Sequence, residues 1–141
     1  MATFPSKQWC EEAVRLVNAD PERSLAARGW SGDIGVIIDA EPGRLARPFV
    51  VHVVPRDSRI ETLRVLEEPD DLDEFEPAYL ARAPYTVWKQ LLQGRLDPVE
   101  AVLRRSISVK GDLQQLIERL RFKGIADRVL TGLKTEYLDE P

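Results

Sequence analysis

The sequence predicts an α/β fold of the α+β kind, with a sheet built mainly from the first half of the chain and short helices from the second. Apolar side chains recur at two-residue spacing along residues 34–40, 48–55 and 59–67, which predicts three strands. Within residues 84–117, apolar side chains instead recur at helical spacing, and glycine and proline divide the pattern into short pieces. Strands followed by helices are typical of a sheet with a helical layer on it.

An amphipathic helix is predicted near the start of the chain, with Ser6 as its N-cap. Its apolar stripe comprises Trp9, Ala13, Leu16 and Val17. Cys10, the only cysteine of the chain, lies on this helix. We interpret it as a small packed side chain rather than a reactive thiol, because no run of cations surrounds it to lower its pKa.

The first two strands are joined by the turn Glu41-Pro42-Gly43, and this short connection predicts an antiparallel hairpin. The second strand is largely apolar on both faces, whereas a strand wet on one side would alternate more strictly. Something must therefore cover its second face. The sequence leaves two candidates open, the N-terminal helix and another subunit, so a homodimer is compatible with it.

Residues 67–76 contain seven acidic side chains and no basic one. Like charges repel one another and stay in water, so a solvated loop is predicted here. A calcium loop is set aside because the segment lacks the alternating Asp/Asn ligands and the glycine of an EF-hand.

The next part of the chain is divided by its capping residues. Pro84 suits the first position of a short helix, and Gly94 suits the left-handed C-cap that ends it. Asp97 is the predicted N-cap of another short helix. Residues 106–110 then alternate as a strand, and a further helix begins after Gly111.

Two motifs in this part resemble the sterol carrier protein 2 (SCP2) sterol-binding domain family. They are QGRLDPVEAV at residues 93–102, preceded by a short helix that carries aromatic side chains, and VKGDL at residues 109–113. Upstream, the chain agrees with the family only in its order of a helix followed by strands. Arg104 and Arg105 stand where many members have a small Gly-Lys-like element.

The resemblance implies a five-stranded mixed, mainly antiparallel sheet that helices cover on one face, in a single domain over residues 1–141. Residues 78–83 would be the fourth strand and residues 106–110 the fifth. Members of the family bind lipids and other apolar ligands in a tunnel between sheet and helices. Carried over by motif position and element order, the ligand-binding residues implied are Trp88, Leu92, Leu103, Leu116, Leu120, Ile125, Val129 and Leu133. Without the resemblance, the same side chains are interpreted as an ordinary packed core.

The sequence contains few residues that could catalyse a reaction. His52 is the only histidine, it lies in the middle of a predicted strand, and we interpret it as an ordinary packed side chain. One histidine and one cysteine do not supply a zinc site, and no phosphate-binding glycine motif is present, so no cofactor is expected. Arg104 and Arg105 could bind a carboxylate or phosphate of a ligand, but a solvated helix end is the simpler interpretation.

The length and the net charge of the chain limit the classes of partner that it is expected to bind. The chain has 141 residues and a formal net charge of −4, which counts against nucleic acid and against adhesion to anionic membranes. It shows neither a leader, nor an apolar run long enough for stable membrane insertion, nor a peroxisomal C-terminal signal. We therefore expect a bacterial cytoplasmic protein whose partner is an apolar small molecule or lipid.

The expected function is non-catalytic binding or transfer of a lipid, fatty acyl or isoprenoid ligand. The alternative is an oligomerisation, scaffold or accessory module whose core is fully packed and holds no ligand. A small enzyme that uses an Asp or Glu of the pocket ranks last, since capping explains the carboxylates of Asp97 and Glu100.

Overall fold

The computed structural model describes residues 2–22, 30, 32–120, 128–129 and 132–140, and the predicted five-stranded mixed sheet is present. The elements follow one another as β1 (Ala2–Phe4), α1 (Lys7–Ala19), β2 (Ile34–Asp39), β3 (Phe49–Arg56), β4 (Arg59–Leu66), a 3₁₀ helix (Pro69–Glu74), β5 (Tyr79–Pro84), α2 (Tyr85–Leu92), α3 (Pro98–Leu103), β6 (Ser108–Lys110), α4 (Leu113–Leu120) and β7 (Thr135–Tyr137).

The main sheet has the strand order β4-β3-β2-β5-β6. The pairs β2–β3, β3–β4 and β5–β6 are antiparallel, and the central pair β2–β5 is parallel. The predicted hairpin and the mainly antiparallel, mixed character of the sheet are therefore confirmed. The parallel pair is reached through the crossover from β4 by way of the 3₁₀ helix to β5.

One face of this sheet, which we call the helical face, packs against α1, α2 and the chain termini. Ile38 of β2 lies there in a cluster with Phe4, Leu45 and Tyr85, and Trp9 of α1 packs on the same cluster. Asn18 near the end of α1 exchanges two hydrogen bonds with the backbone of Ile60, at 2.8 and 3.0 Å. These bonds attach α1 to the edge strand β4.

The opposite face, which we call the second face, is covered by the acidic segment. The prediction of a solvated loop at residues 67–76 is wrong in this respect, because Leu72 of the 3₁₀ helix is buried against Ile37 and Val50. Phe75 follows and stacks on His52, with 4.2 Å between ring centroids. The carboxylates stay at the surface while two apolar side chains reach the sheet, so the chain itself supplies the cover that the sequence left open.

The predicted helix caps are present. The Ser6 hydroxyl accepts from the Trp9 N–H at 3.1 Å, and the Asp97 carboxylate accepts from the Glu100 N–H at 3.0 Å. Gly94 has a φ of 72°, the left-handed conformation that its place after α2 requires. Local sequence chemistry thus sets where these helices begin and end.

A second, two-stranded sheet joins the two ends of the described chain, and the sequence did not predict it. β1 and β7 run parallel, with Ala2, Thr3 and Phe4 opposite Thr135, Glu136 and Tyr137. The Trp9 indole N–H donates to the Thr135 hydroxyl at 3.0 Å. This small sheet holds the C-terminal segment against α1.

Candidate functional site

A row of aliphatic side chains crosses the helical face through all five strands. Strand pairing places them side by side in the order Val65, Val51, Val36, Ala81 and Val109. Val51 is buried, but the other four are only half-buried. The helical layer therefore leaves part of this apolar row uncovered, and apolar surface gains free energy when a ligand removes it from water.

Helix α4 shows the same incomplete burial. Its apolar side chains are Leu113, Leu116, Ile117 and Leu120, and no residue within α4 is fully buried. Leu113 is 43% exposed. A surface helix of a domain normally buries its apolar stripe against the core, whereas part of the apolar stripe of α4 is left exposed to solvent.

The start of α4 is held close to β5. Gly111 has a φ of 131°, and a Cβ added to it would lie 2.7 Å from the carbonyl oxygen of Ala78 and 2.6 Å from the Tyr79 ring. The Gln115 amide donates to the Tyr79 hydroxyl. Only glycine permits this approach, so the VKGDL motif determines where α4 leaves the sheet.

Between α3, β6 and α4 lies a groove of about 250 Å³. Its lining combines the apolar side chains of Val102, Ile107, Val109 and Leu113 with the polar residues Arg105 and Ser108. The groove is larger than the space of a few water molecules, each of which occupies about 30 Å³ in the liquid. It is therefore room that the side chains of this chain do not fill.

A packed cluster lies behind the groove. Ala101 and Ala83 are buried beside Ile107, and the Ile107 N–H donates to the Ala101 carbonyl at 3.2 Å. Arg105 at the edge has a φ of 61°, with its N–H donating to the Val102 carbonyl at 3.2 Å. A non-glycine residue keeps a positive φ only where its surroundings determine it.

The structure places two of the predicted ligand-binding residues in packed clusters. Trp88 contacts the cluster around Phe4 and the one around Ala101, and its indole N–H donates to the carbonyls of Ile37 (3.2 Å) and Ala83 (3.0 Å). Leu92 packs on the first of these clusters. Both residues fasten α2 to the sheet.

The predicted residues on α3 and α4 lie nearer the groove. Leu103 is 65% exposed, whereas its neighbour Val102 is buried and lines the groove. Successive helical positions differ by about 100° in direction, so α3 presents one of these two side chains to the groove and turns the other to water. Leu116 and Leu120 are half-buried.

The last predicted residues belong to the C-terminal segment. Ile125 lies outside the described residues, whereas Val129 and Leu133 are buried. This segment packs on α1, where a Cβ added to Gly132 would lie 3.3 Å from a methyl group of Leu16. The ligand-binding role of these side chains stays a prediction.

Ionic contacts at Asp20 and at Asp139 hold the C-terminal segment in place, and sequence reasoning missed them. The Arg128 guanidinium binds the buried Asp20 carboxylate through two hydrogen bonds of 2.6 and 2.8 Å, which raise the pKa of Arg128. Asp139 accepts from Tyr85 at 3.0 Å, from Lys89 at 2.8 Å and from Arg44 at 2.8 Å. The hydrogen bond from Lys89 contributes most to lowering the pKa of Asp139.

His52 and Cys10 are packed, as predicted. The His52 Nε2 lies 2.7 Å from an oxygen of Asp33, whose other oxygen accepts from the Ala78 N–H at 2.9 Å. Burial works against ionisation of Asp33, but these hydrogen bonds lower its pKa. Burial, with a smaller contribution from Glu11, raises the pKa of Cys10 to about 11, so the thiol stays protonated at neutral pH.

No described helix is both long and apolar enough to cross a bilayer. No protein-family model matches the chain, and no curated protein matches it in sequence.

Solved structures show where this architecture occurs. A crystal structure of sterol carrier protein 2 matches 90% of this chain and 93% of its own, with a TM-score of 0.67 and 19% identity. A conserved hypothetical protein of Thermus thermophilus, described as a possible sterol carrier protein, matches 89% of this chain and 84% of its own, with a TM-score of 0.69 and 19% identity. Apo sterol carrier protein 2 from Yarrowia lipolytica matches 85% of this chain and 88% of its own, with a TM-score of 0.57 and 9% identity. The chain therefore has the fold of sterol carrier protein 2.

Proposed function

We propose that this protein binds and transfers an apolar ligand, such as a lipid, a fatty acyl chain or an isoprenoid, without catalysing a reaction. The observation that carries the proposal is the aliphatic row of the helical face, which crosses five strands and is left half-buried at four of them. Each Å² of apolar surface removed from water contributes about 25 cal/mol, so a long ligand gains affinity without many polar contacts.

The proposed binding surface combines the groove with the half-buried stripe of α4. It comprises Val102, Ile107, Val109, Leu113, Leu116 and Leu120. The groove of about 250 Å³ is smaller than the pockets of about 300–1,000 Å³ that enclose drug-sized ligands. A long ligand would therefore extend from the groove along the aliphatic row and move α4 outward, while Trp88 and Leu92 hold α2 in place.

The similar solved structures support this proposal through their fold and through the name sterol carrier that they bear. Sterol is not thereby the ligand of this chain, because burial of apolar surface limits the size of a ligand more than its chemical identity. We further propose that residues 1–141 act as one domain and that the protein works in the bacterial cytoplasm.

Titration of delipidated protein with a fluorescent fatty acid tests the proposal. Saturable binding is expected, together with a loss of at least tenfold in affinity for Val109→Arg, which places a charge in the groove. Leu138→Arg is the matched control, because Leu138 is 45% exposed and lies in the C-terminal turn. Absence of saturable binding, or equal losses in both folded variants, would contradict the proposal.

A scaffold or accessory module is the second candidate. The exposure of Leu103 and Leu113 favours it, because a partner chain could bury both side chains. Native mass spectrometry of the purified protein separates the two candidates, since it shows subunit number and co-purified lipid together. A dimer without lipid favours the module, and a protein–lipid complex favours the carrier.

A further inference from the structure

We propose that Arg105 recognises the head group of the ligand, so that the groove takes apolar molecules with an anionic end, a carboxylate or a phosphate, in preference to neutral molecules of the same length. The inference rests on the proposed function, because the groove must first bind an apolar ligand. It adds the chemical class of that ligand and the residue that selects it.

Arg105 supplies a positive charge in the lining of the groove. Of the six described residues that line it, only Arg105 is charged. Within the part of the chain that the structure describes, its guanidinium has neither a hydrogen-bond partner nor an ion-pair partner. A guanidinium can bind a carboxylate or a phosphate through two parallel N–H donors. Arg105 can therefore bind such a group without giving up a contact within the described residues.

The carboxylates nearest in sequence have other partners. Asp112 accepts from the Gln115 N–H at 3.2 Å and so caps the start of α4. Glu100 lies 3.7 Å from Arg104, the neighbour of Arg105. Neither carboxylate belongs to the lining of the groove. The charge that a ligand meets among the lining residues is therefore the positive charge of Arg105.

The backbone at Arg105 favours glycine rather than arginine. Arg105 follows the C-cap of α3 with a φ of 61°, and Gly94 follows the C-cap of α2 in the same way with a φ of 72°. In both turns the N–H donates at 3.2 Å to the carbonyl three residues before it. Glycine adopts this left-handed conformation freely, whereas a side chain with a Cβ does so at a cost in free energy. Backbone geometry thus gives no reason for an arginine here, and recognition of a ligand does.

The groove and the aliphatic row together give such a ligand a direction. Val109 belongs both to the lining of the groove and to the row that continues through Ala81 and Val36. With its anionic end at Arg105, a ligand can continue from Val109 along this row. A neutral ligand of the same length buries the same apolar surface but gains no ionic contact. The preference for an anionic end can therefore be measured separately from apolar binding.

Ligands with the same tail and different ends test the inference on the full chain. Dodecanoic acid, dodecyl phosphate and dodecanol are compared at about pH 8, where the acid is ionised, by displacement of the neutral fluorophore N-phenylnaphthylamine. We expect the wild type to bind at least one of the two anions about fivefold more tightly than dodecanol, which is the upper range for an ionic contact at an exposed site. The anion that is preferred identifies the head group as a carboxylate or a phosphate.

R105Q and R104Q are the matched pair of variants, because each removes one positive charge from one of two adjacent, exposed arginines. R105Q should abolish the preference for anions and leave the affinity for dodecanol unchanged within about twofold, since the apolar surface that is buried stays the same. R104Q should keep the preference, because Arg104 lies outside the lining of the groove. R105K should retain part of it, since a point charge replaces the planar guanidinium.

R105G separates recognition from stability. Glycine relieves the left-handed conformation, so the urea midpoint of R105G should rise above that of the wild type while the preference for anions is lost. R105Q keeps a Cβ in the same conformation, so its midpoint should not rise. A midpoint of R105G below that of the wild type would overturn the inference, because it would show that the arginine side chain stabilises the fold.

Three other results would overturn recognition by Arg105. The first is a wild type that binds dodecanol as tightly as both anions, and the second is an equal loss of preference in R105Q and R104Q, which would reflect net charge alone. The third is a loss of dodecanol affinity in R105Q, which would assign Arg105 to packing against the tail. Dodecanol also tests the proposed function separately. If neither the fluorophore nor any ligand binds, the proposed function fails, whereas equal displacement by all three ligands leaves it standing and overturns the role of Arg105 alone.

Discussion

The two ends of the helical layer differ in how completely they are packed. At one end, which we call the anchored corner, Tyr85 is fully buried against Phe4, Ile38 and Leu45, and Asp139 binds the side chains around it. At the groove end, between α3, β6 and α4, Val109 is half-buried, Leu113 is 43% exposed, and about 250 Å³ is left unfilled. The comparison indicates that the corner supplies stability, whereas the groove end keeps apolar surface available.

The largest expected effect is at the anchored corner. Tyr85→Ala removes a fully buried ring that stacks on Phe4 at 5.9 Å and a hydrogen bond to Asp139. We expect a loss of about 3–5 kcal/mol in the free energy of unfolding, measured with urea. Leu103→Ala, at the groove end, should change it by less than about 0.5 kcal/mol. Similar losses in the two variants would remove the distinction between the ends.

Gly111 tests how α4 is joined to the sheet. Gly111→Ala should cost about 3 kcal/mol, because its new Cβ would meet the Ala78 carbonyl in a backbone conformation that already disfavours alanine. Gly43→Ala is the control, since Gly43 also has a positive φ but nothing within 4 Å of the added Cβ, and about 1 kcal/mol is expected. If Gly111→Ala were as mild as the control, α4 would not be held close to β5.

Valine truncations compare the two faces of the sheet. Val50 is fully buried on the second face under Leu72, so Val50→Ala should cost about 2 kcal/mol. Val109→Ala, in the half-buried groove, should cost less than about 1 kcal/mol, because less apolar surface is lost there. Urea unfolding of both variants gives the comparison, and the reverse order would show that the groove end is the better packed region.

The smallest expected effect concerns pH at the corner. Asp139→Asn should cost about 1–2 kcal/mol at neutral pH, because Asp139 accepts from three side chains, Lys89 among them. The folded pKa of Asp139 is lowered, so the stability that its charge contributes is complete above the unfolded pKa of about 3.9 and is lost as pH falls through the folded pKa. When unfolding is measured from about pH 7 to about pH 2, the free energies of unfolding of the wild type and of Asp139→Asn should converge at low pH. A difference in free energy of unfolding between the two proteins that does not change with pH would contradict this role of the Asp139 charge.

Sequence reasoning predicted the main sheet because its signals are local. Alternation indicated β2, β3 and β4, and the caps at Ser6 and Asp97 indicated where α1 and α3 begin. The arrangement of these pieces in one five-stranded sheet was instead implied by the resemblance of QGRLDPVEAV and VKGDL to the SCP2 family. The alternation and the caps each lie within about ten residues, where backbone preferences act directly.

The features that were missed depend on contacts between distant parts of the chain. β1 and β7 are three residues each, which is too short for a periodic pattern, and they pair across nearly the whole chain. Leu72 lies in an acidic run that is typical of solvated segments, and its burial follows from the apolar second face of β3. α3 has only six residues, and the family resemblance implied Leu103 as its ligand-binding residue, whereas the structure places Val102 in the groove lining.

The most direct test of the account is whether an apolar ligand contacts the helical face and not the second face. Methyl-labelled protein in complex with a fatty acid reports this through intermolecular nuclear Overhauser effects. The account predicts such effects at Val36, Val65 and Val109 and none at Val50. A saturated complex with effects at Val50, or with none along the aliphatic row, would contradict it.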